Sequence, residues 1–450
     1  MKKSAFIAAV FFLCSQALYA DVAVTIYNNN RALVRDTRDV TLKKDTQLLE
    51  FDDVASQIDP TSVLPKFLSD ASKIKILEQN FDYDLVNRDK LLRKYIGQNI
   101  EIERTGEDKR GKLTGKLLSA SGGSLVVQSN NGIVLNPQGE VSLDKLPEGL
   151  RLKPTLTWLV ASDVSGTRKM EVSYQTSGIG WNADYVLVSD ENDAQADITG
   201  WVTINNYSGA TYKDAKLKLI AGDVNMVTPQ ARNGAMAEKR AMVMEAAAAP
   251  SFQEKSFFEY HIYELQRKAT IKDNEIKQIE FITASKVPVK KVFTYNGAQN
   301  GQKVTVNLDL KNSKENNLGI PLPKGRVRVC KYDGDAMEFI GENMIDHTAK
   351  DAKMSLYIGN AFDITGERKQ TEYRSESKSA YESFKITLKN SKDTPVEVNV
   401  VEKMYRWNNW KIEKNSDAFK QTDSNTAEFL VTVPANGEKE ITYTVKYWWK

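Results

Sequence analysis

Only two histidines stand in the 450-residue chain, His261 in EYHIYEL and His347 in MIDHTAK. A zinc site of usual composition needs three or four converging His, Cys or carboxylate ligands, and the two cysteines, Cys14 and Cys330, form no cluster with them. Asp346 beside His347 has the makings of a base and its orienting group. No G-x-S-x-G turn supplies a nucleophile for them, so a hydrogen-bonded structural histidine is expected. The run Gly111 to Lys116, GKLTGK, is one spacer short of a phosphate-binding loop, and Leu117 follows where Ser or Thr must stand. Asp190, Glu191, Asn192, Asp193 and Asp197 gather acids at a density that calcium sites use. Ala194 and Gln195 occupy positions where the helix–loop–helix calcium loop requires Asp or Asn and then Gly, so a solvated acidic turn is expected. Many other carboxylates could form the pair that hydrolyses glycosides, but spacing along the chain places no two of them together. These residues therefore assign no catalytic group, no cofactor-binding group and no metal ligand. The best aromatic cluster is Tyr405, Trp407 and Trp410 in MYRWNNWKI. Exposed, it is a contact site for a ligand or partner; buried, it is packing between two sheets.

The elements that must position these residues are strands. From Glu171 to Asn225, Val172 and Tyr174 alternate with Ser173 and Gln175, and Leu217 and Leu219 with Lys216 and Lys218. Such period-two patterns between Gly, Asn, Asp and Ser clusters specify a packed sheet, with Trp181 and Trp201 as core anchors. Residues 21–95 also read as strands, ending in a short helix over Leu85 to Tyr95, and residues 151–225 complete their sheet. Between them, residues 96–150 form a separate module. Five strand-like runs with very short turns, near Asn99 to Glu103, Gly111 to Ser119, Ser124 to Gln128, Gly132 to Asn136 and Gly139 to Leu143, describe a small SH3-like or Sm-like barrel. Residues 226–256 are Ala- and Met-rich, a loop with helix-forming content and a Met-rich surface suited to docking a partner. Residues 257–450 return to strands with the cadence of an immunoglobulin-like or fibronectin-like sandwich. The last strand places Ile441, Tyr443, Val445, Tyr447 and Trp449 on one face. The expected fold class is all-β: sandwich domains with an inserted small barrel.

The first twenty residues stand apart. Lys2 and Lys3 precede an apolar run from Ala5 to Leu13, and Leu18-Tyr19-Ala20 ends in a small residue. This is the pattern of a secretory signal peptide cleaved after Ala20, which directs the protein to the periplasm or beyond. No later stretch has the length of a transmembrane helix. Removing residues 1–20 takes away two lysines and no acid, leaving 60 basic and 59 acidic side chains from the 62 and 59 of the whole chain. That balance lacks the basic face that nucleic-acid binding needs. It also leaves Cys330 as the one cysteine, so no internal disulfide is possible and stability must come from core burial.

SGIGWNADYVLV, GWVTINNYSGATYKDAKLKLIAGDVN, LGIPLPKGRVRV and GENMIDHTAKDAKMSLYIGNAFDI together carry a resemblance. The chain resembles a bacterial exported family of unknown function, one branch of which is labelled mucoidy-inhibitor-like. The resemblance covers most of the chain after Leu152, and YNNNRALVRDTRDVTL near the N-terminus agrees with it. It implies an exported β protein and transfers no activity to any residue. The mucoidy-inhibitor-like branch carries a long coiled-coil insertion, whereas here the glycine-rich barrel module takes that place. The function expected is a non-catalytic envelope module that binds or scaffolds an envelope protein or glycan, with no cofactor. The alternative is an envelope glycan hydrolase using a carboxylate pair.

Overall fold

The computed structural model describes residues 21–104, 111–222, 252–257 and 260–449. The signal-peptide pattern and most of the Ala/Met-rich stretch lie outside the described residues. The last part of that stretch is not loop: Phe252–Phe257 is a strand, paired antiparallel with Tyr260–Leu265.

The chain divides into two compact units, residues 1–180 with 205–217 and 268–275, and residues 181–204 with 218–267 and 276–450. In the first unit, Arg31–Leu42 lies between Asp21–Tyr27 and Gly166–Ser177, and Leu64–Phe67 pairs with the far side of Gly166–Ser177. A second, three-stranded sheet places Thr155–Ser162 between Asp45–Asp52 and Ile74–Asp82. The pairings join residues before the inserted module to residues after it. Period-two alternation is the cause: Val24, Ile26, Val34, Trp158, Val172 and Tyr174 are all buried.

The helix Arg88–Lys94, capped by the Asn87 side chain on the Lys90 amide at 2.9 Å, leads into the inserted module. Its five strands, Asn99–Arg104, Gly111–Ser121, Ser124–Ser129, Gly132–Leu135 and Glu140–Ser142, form one sheet in the order fifth, first, second, third, fourth. The sheet encloses Ile100, Ile102, Leu117, Leu125 and Val127, and Leu92 and Tyr95 of the helix region close that core. Gly115 lies against this sheet's backbone: a Cβ there would stand 2.5 Å from the Gln128 carbonyl oxygen, so the strand can bend only with glycine at this position.

In the second unit a 13-stranded sheet runs through Gly325–Asp333, Ile179–Ser189, Gln195–Asn206, Glu275–Tyr295, Lys303–Lys311 and Lys353–Glu376. It continues into Ser379–Asn390, Gly437–Trp448 and Trp410–Asn415. At this end, Val396–Lys403 and Thr426–Val433 pair with each other as the second layer of a sandwich. Phe384, Ile386, Val398, Phe429, Ile441 and Val445 fill the space between the layers. The all-β expectation holds throughout. Trp181 is buried, whereas Trp201 is only half-buried and its indole N–H has no partner among the described residues. Cys330 is a buried free thiol in a strand, raised in pKa by burial, which fits a small apolar core residue.

Candidate functional site

The aromatic residues singled out by sequence part company in the fold. Val396–Lys403 ends before them, and Met404 to Asn409 is irregular until Trp410–Asn415 rejoins the sheet. Tyr405 and Trp407 therefore do not share a strand face. Both are displayed on this connection, 62% and 50% exposed. Trp410 is turned the other way: half-buried, it packs on the sandwich core and donates its indole N–H to the Ser424 carbonyl at 2.7 Å.

A buried carboxylate anchors the connection. Glu382 is fully buried on the core side of Ser379–Asn390. Its Oε1 accepts from Arg406 Nη2 at 2.6 Å, from the Tyr405 hydroxyl at 2.9 Å and from Gln370 Nε2 at 3.2 Å. Its Oε2 has no partner among the described residues. The Glu382 hydrogen bond raises the Arg406 pKa, while burial and Glu382 together raise that of Tyr405. Next to it, Met404 is buried and accepts the Tyr447 hydroxyl on Sδ at 3.6 Å.

A second buried acid, Glu402, sits at the end of Val396–Lys403. Arg368 donates to it through Nε at 3.0 Å and Nη2 at 2.9 Å, and the Tyr443 hydroxyl donates to its Oε2. The Arg368 guanidinium lies 3.8 Å over the Phe384 ring. Burial pushes the Tyr295 phenol up to about 12, and its hydroxyl has no partner among the described residues.

Beside these residues the sheet end opens into a groove of ≈ 720 Å³, lined by Lys378, Lys411, Lys446, Trp448 and Trp449. Trp449 lies 6.1 Å, centroid to centroid, from Trp407, so the groove and the Tyr405–Trp407 connection are continuous. Trp448 is 40% exposed. The groove is shallow and open to solvent, not an enclosed pocket. The alternation expected of the last strand runs to its end. Ile441, Tyr443, Val445 and Tyr447 are indeed buried, but Trp448 faces outward. Glu382 was missed. Its signal was an acid in the inward register of an alternating strand, two residues before Phe384.

The other residues with chemical potential are tied into hydrogen bonds and ion pairs. His261 Nδ1 pairs with Glu254 at 2.7 Å, and His347 Nδ1 accepts the Lys324 amide at 3.2 Å. Asp190 closes its own turn by accepting the Ala194 and Gln195 amides at 2.8 and 3.1 Å. Asp193 is not solvated: Lys331 at 2.7 Å and Lys291 clamp it. Burial raises its pKa, and the two lysines outweigh that and hold it below its ordinary value. Among the described residues no group of three or more His, Cys, Asp or Glu could hold a metal ion. Every described carboxyl whose pKa departs clearly from its usual value moves down: Asp84, Asp193, Glu315, Asp417 and Asp423.

A family model described as a domain of unknown function (DUF4139) matches residues 170–449. The chain belongs to this family. No curated protein matches the chain. The DUF4139 match takes in Glu382, Tyr405, Trp407, Trp410 and Trp448, so the whole aromatic end lies within it, while the inserted five-stranded module lies outside it. Among the described residues no helix is long and apolar enough to cross a membrane.

Proposed function

We propose that this DUF4139 protein is an exported, non-catalytic module of the bacterial envelope that binds an envelope glycan or protein through the aromatic end of its C-terminal sandwich. The observation that carries the reading is the exposure of Tyr405 and Trp407, on a connection anchored to a buried carboxylate, beside a groove that Trp448 and Trp449 line and that Trp407 meets through Trp449. Large aromatic groups held rigidly at a surface bind with little loss of side-chain entropy. The signal-peptide pattern of residues 1–20 supports export to the periplasm with cleavage after Ala20. The motifs SGIGWNADYVLV and LGIPLPKGRVRV support a relationship to the mucoidy-inhibitor-like branch.

The test is retention of the mature protein on isolated envelope fractions, compared with Trp407→Ala/Trp448→Ala, with release of reducing sugar measured in parallel. Retention that falls about tenfold or more in the double variant, with no sugar released, supports the reading. Equal retention of both proteins, or release of reducing ends, overturns it.

A further inference from the structure

The end strands of the described sheets are guarded, with one exception. Folded proteins blunt an exposed sheet edge with charge, proline or a bulge, because its unpaired backbone is a template for another chain. Asp45–Asp52, Ile74–Asp82, Phe252–Phe257, Ala336–Ile345, Trp410–Asn415 and Lys420–Asp423 all carry charged residues. Leu64–Phe67 carries Pro65 and Lys66, and Glu140–Ser142 carries Glu140. Ala269–Ile271 is uncharged, but its apolar side chains are buried. Gly132–Leu135, the end strand of the inserted module, has no charge, no proline and no register shift against Ser124–Ser129. Its Ile133 and Leu135 are 62% and 73% exposed. The whole stretch from Leu117 to Gly139 holds no Asp, Glu, Lys or Arg, in a chain of which 27% is charged, so the bare edge belongs to a larger uncharged surface.

The backbone of this edge is open as well. Asn130 and Asn131 turn the chain from Ser124–Ser129 into Gly132–Leu135, and the Asn136 amide donates to the Leu125 carbonyl at 2.6 Å. Alternation along an antiparallel pair then directs the backbone groups of Gly132 and Val134 towards Ser124–Ser129, and those of Ile133 and Leu135 to the open side. Nothing among the described residues pairs with them there. The side chains alternate in step. Val134 is half-buried opposite the buried Val127. Leu135 lies opposite the half-buried Val126 on the outer face, and Ile133 shares that face.

We infer that Gly132–Leu135 pairs antiparallel with the same strand of a second copy of the chain, about a two-fold axis through Val134. The edge is complementary to itself in that register. Ile133 lies opposite Leu135 of the second copy, and Val134 opposite its own equivalent. The two residues whose N–H and C=O point outward then face each other as a hydrogen-bonded pair. Both are on the outer face, so the same pairing brings each exposed apolar side chain against another. No charge is buried, because the paired stretch and its flanks hold none. Symmetry about Val134 is what a second copy requires and what a foreign strand does not. A two-fold contact closes on itself, so assembly stops at two copies. The contact lies outside the DUF4139 match and is independent of the binding reading above.

The test is sedimentation velocity of the mature full chain from about 1 to 200 µM, a range that brackets a small and therefore weak interface. The expected result is the mass of two copies at the top of the range and of one at the bottom. Ile133→Lys/Leu135→Lys should stay single throughout, with its urea midpoint unchanged, because both side chains are exposed. Cross-linking then reads the register. With diamide as oxidant at the top of the range, Val134→Cys should form a disulfide-linked pair about tenfold or more faster than Ile133→Cys, because only position 134 meets its own equivalent across the axis at bonding distance. Single copies at every concentration overturn the inference, as do pairs that persist in the lysine variant. Species that keep growing beyond two copies, or cross-linking no faster through position 134, overturn it too. If the lysine variant unfolds, the two cysteine variants decide.

Discussion

Replacing Glu402 with alanine should be among the most damaging single changes in the C-terminal sandwich. Glu402 is 1% exposed and its partner Arg368 16%, so solvent screens their attraction little. The carboxylate accepts from Arg368 Nε and Nη2 and from the Tyr443 hydroxyl. In Glu402→Ala the guanidinium stays over Phe384 with no anion, and the Tyr443 hydroxyl loses its acceptor. Breaking a buried pair from one side costs about 3–5 kcal/mol, most of it the penalty of an uncompensated buried charge. Followed by tryptophan fluorescence in urea, this should lower the midpoint by roughly 1–2 M. The double variant Arg368→Met/Glu402→Leu removes both charges and should recover most of the loss, since an apolar pair of similar volume is about neutral or better in such a site. A loss under about 1 kcal/mol for Glu402→Ala would refute the claim that the pair is desolvated. A double variant no more stable than the single one would refute the claim that the cost lies in the stranded charge.

Three further outcomes are expected. The Asp193 carboxyl is held below its ordinary value of 3.8, so its contribution is present above that pH and is lost as pH falls through the lower folded value. Asp193→Asn should therefore be less stable than the parent by about 1–3 kcal/mol at pH 7, with the gap closing below pH 3.8; a gap that widens in acid contradicts the clamp by Lys291 and Lys331. A Cβ on Gly366 would stand 2.3 Å from a ring carbon of the buried Tyr295, so Gly366→Ala should cost about 1–3 kcal/mol in a urea titration, and no measurable change would mean that the ring has room to move. Glu382→Ala frees Tyr405 and Arg406, and trypsin should then cut after Arg406 roughly tenfold faster; an unchanged rate means that the connection is held by something other than Glu382.

What the sequence determined by itself is local. Alternation of Ile441, Tyr443, Val445 and Tyr447 defined a strand and its buried face, because side chains of an extended chain point to opposite sides at every step. The same logic located the five strands of the inserted module between glycine turns, and the inward register of Glu382 was available to it. What only the tertiary structure decided is pairing between distant segments. No local pattern tells that Lys411 faces Lys446, that Arg406 reaches back to Glu382, or that Lys291 and Lys331 converge on Asp193. The division of the aromatic cluster was equally out of reach. Trp410 turns to the core and Tyr405 to solvent because the chain leaves the sheet at Met404 and re-enters it at Trp410, which resets the face each residue presents. Register across strands is fixed by the burial of whole faces against partners far along the chain. The meeting of Trp407 with Trp449 beside the exposed Trp448, on which the binding reading depends, therefore exists only once distant segments have been laid side by side.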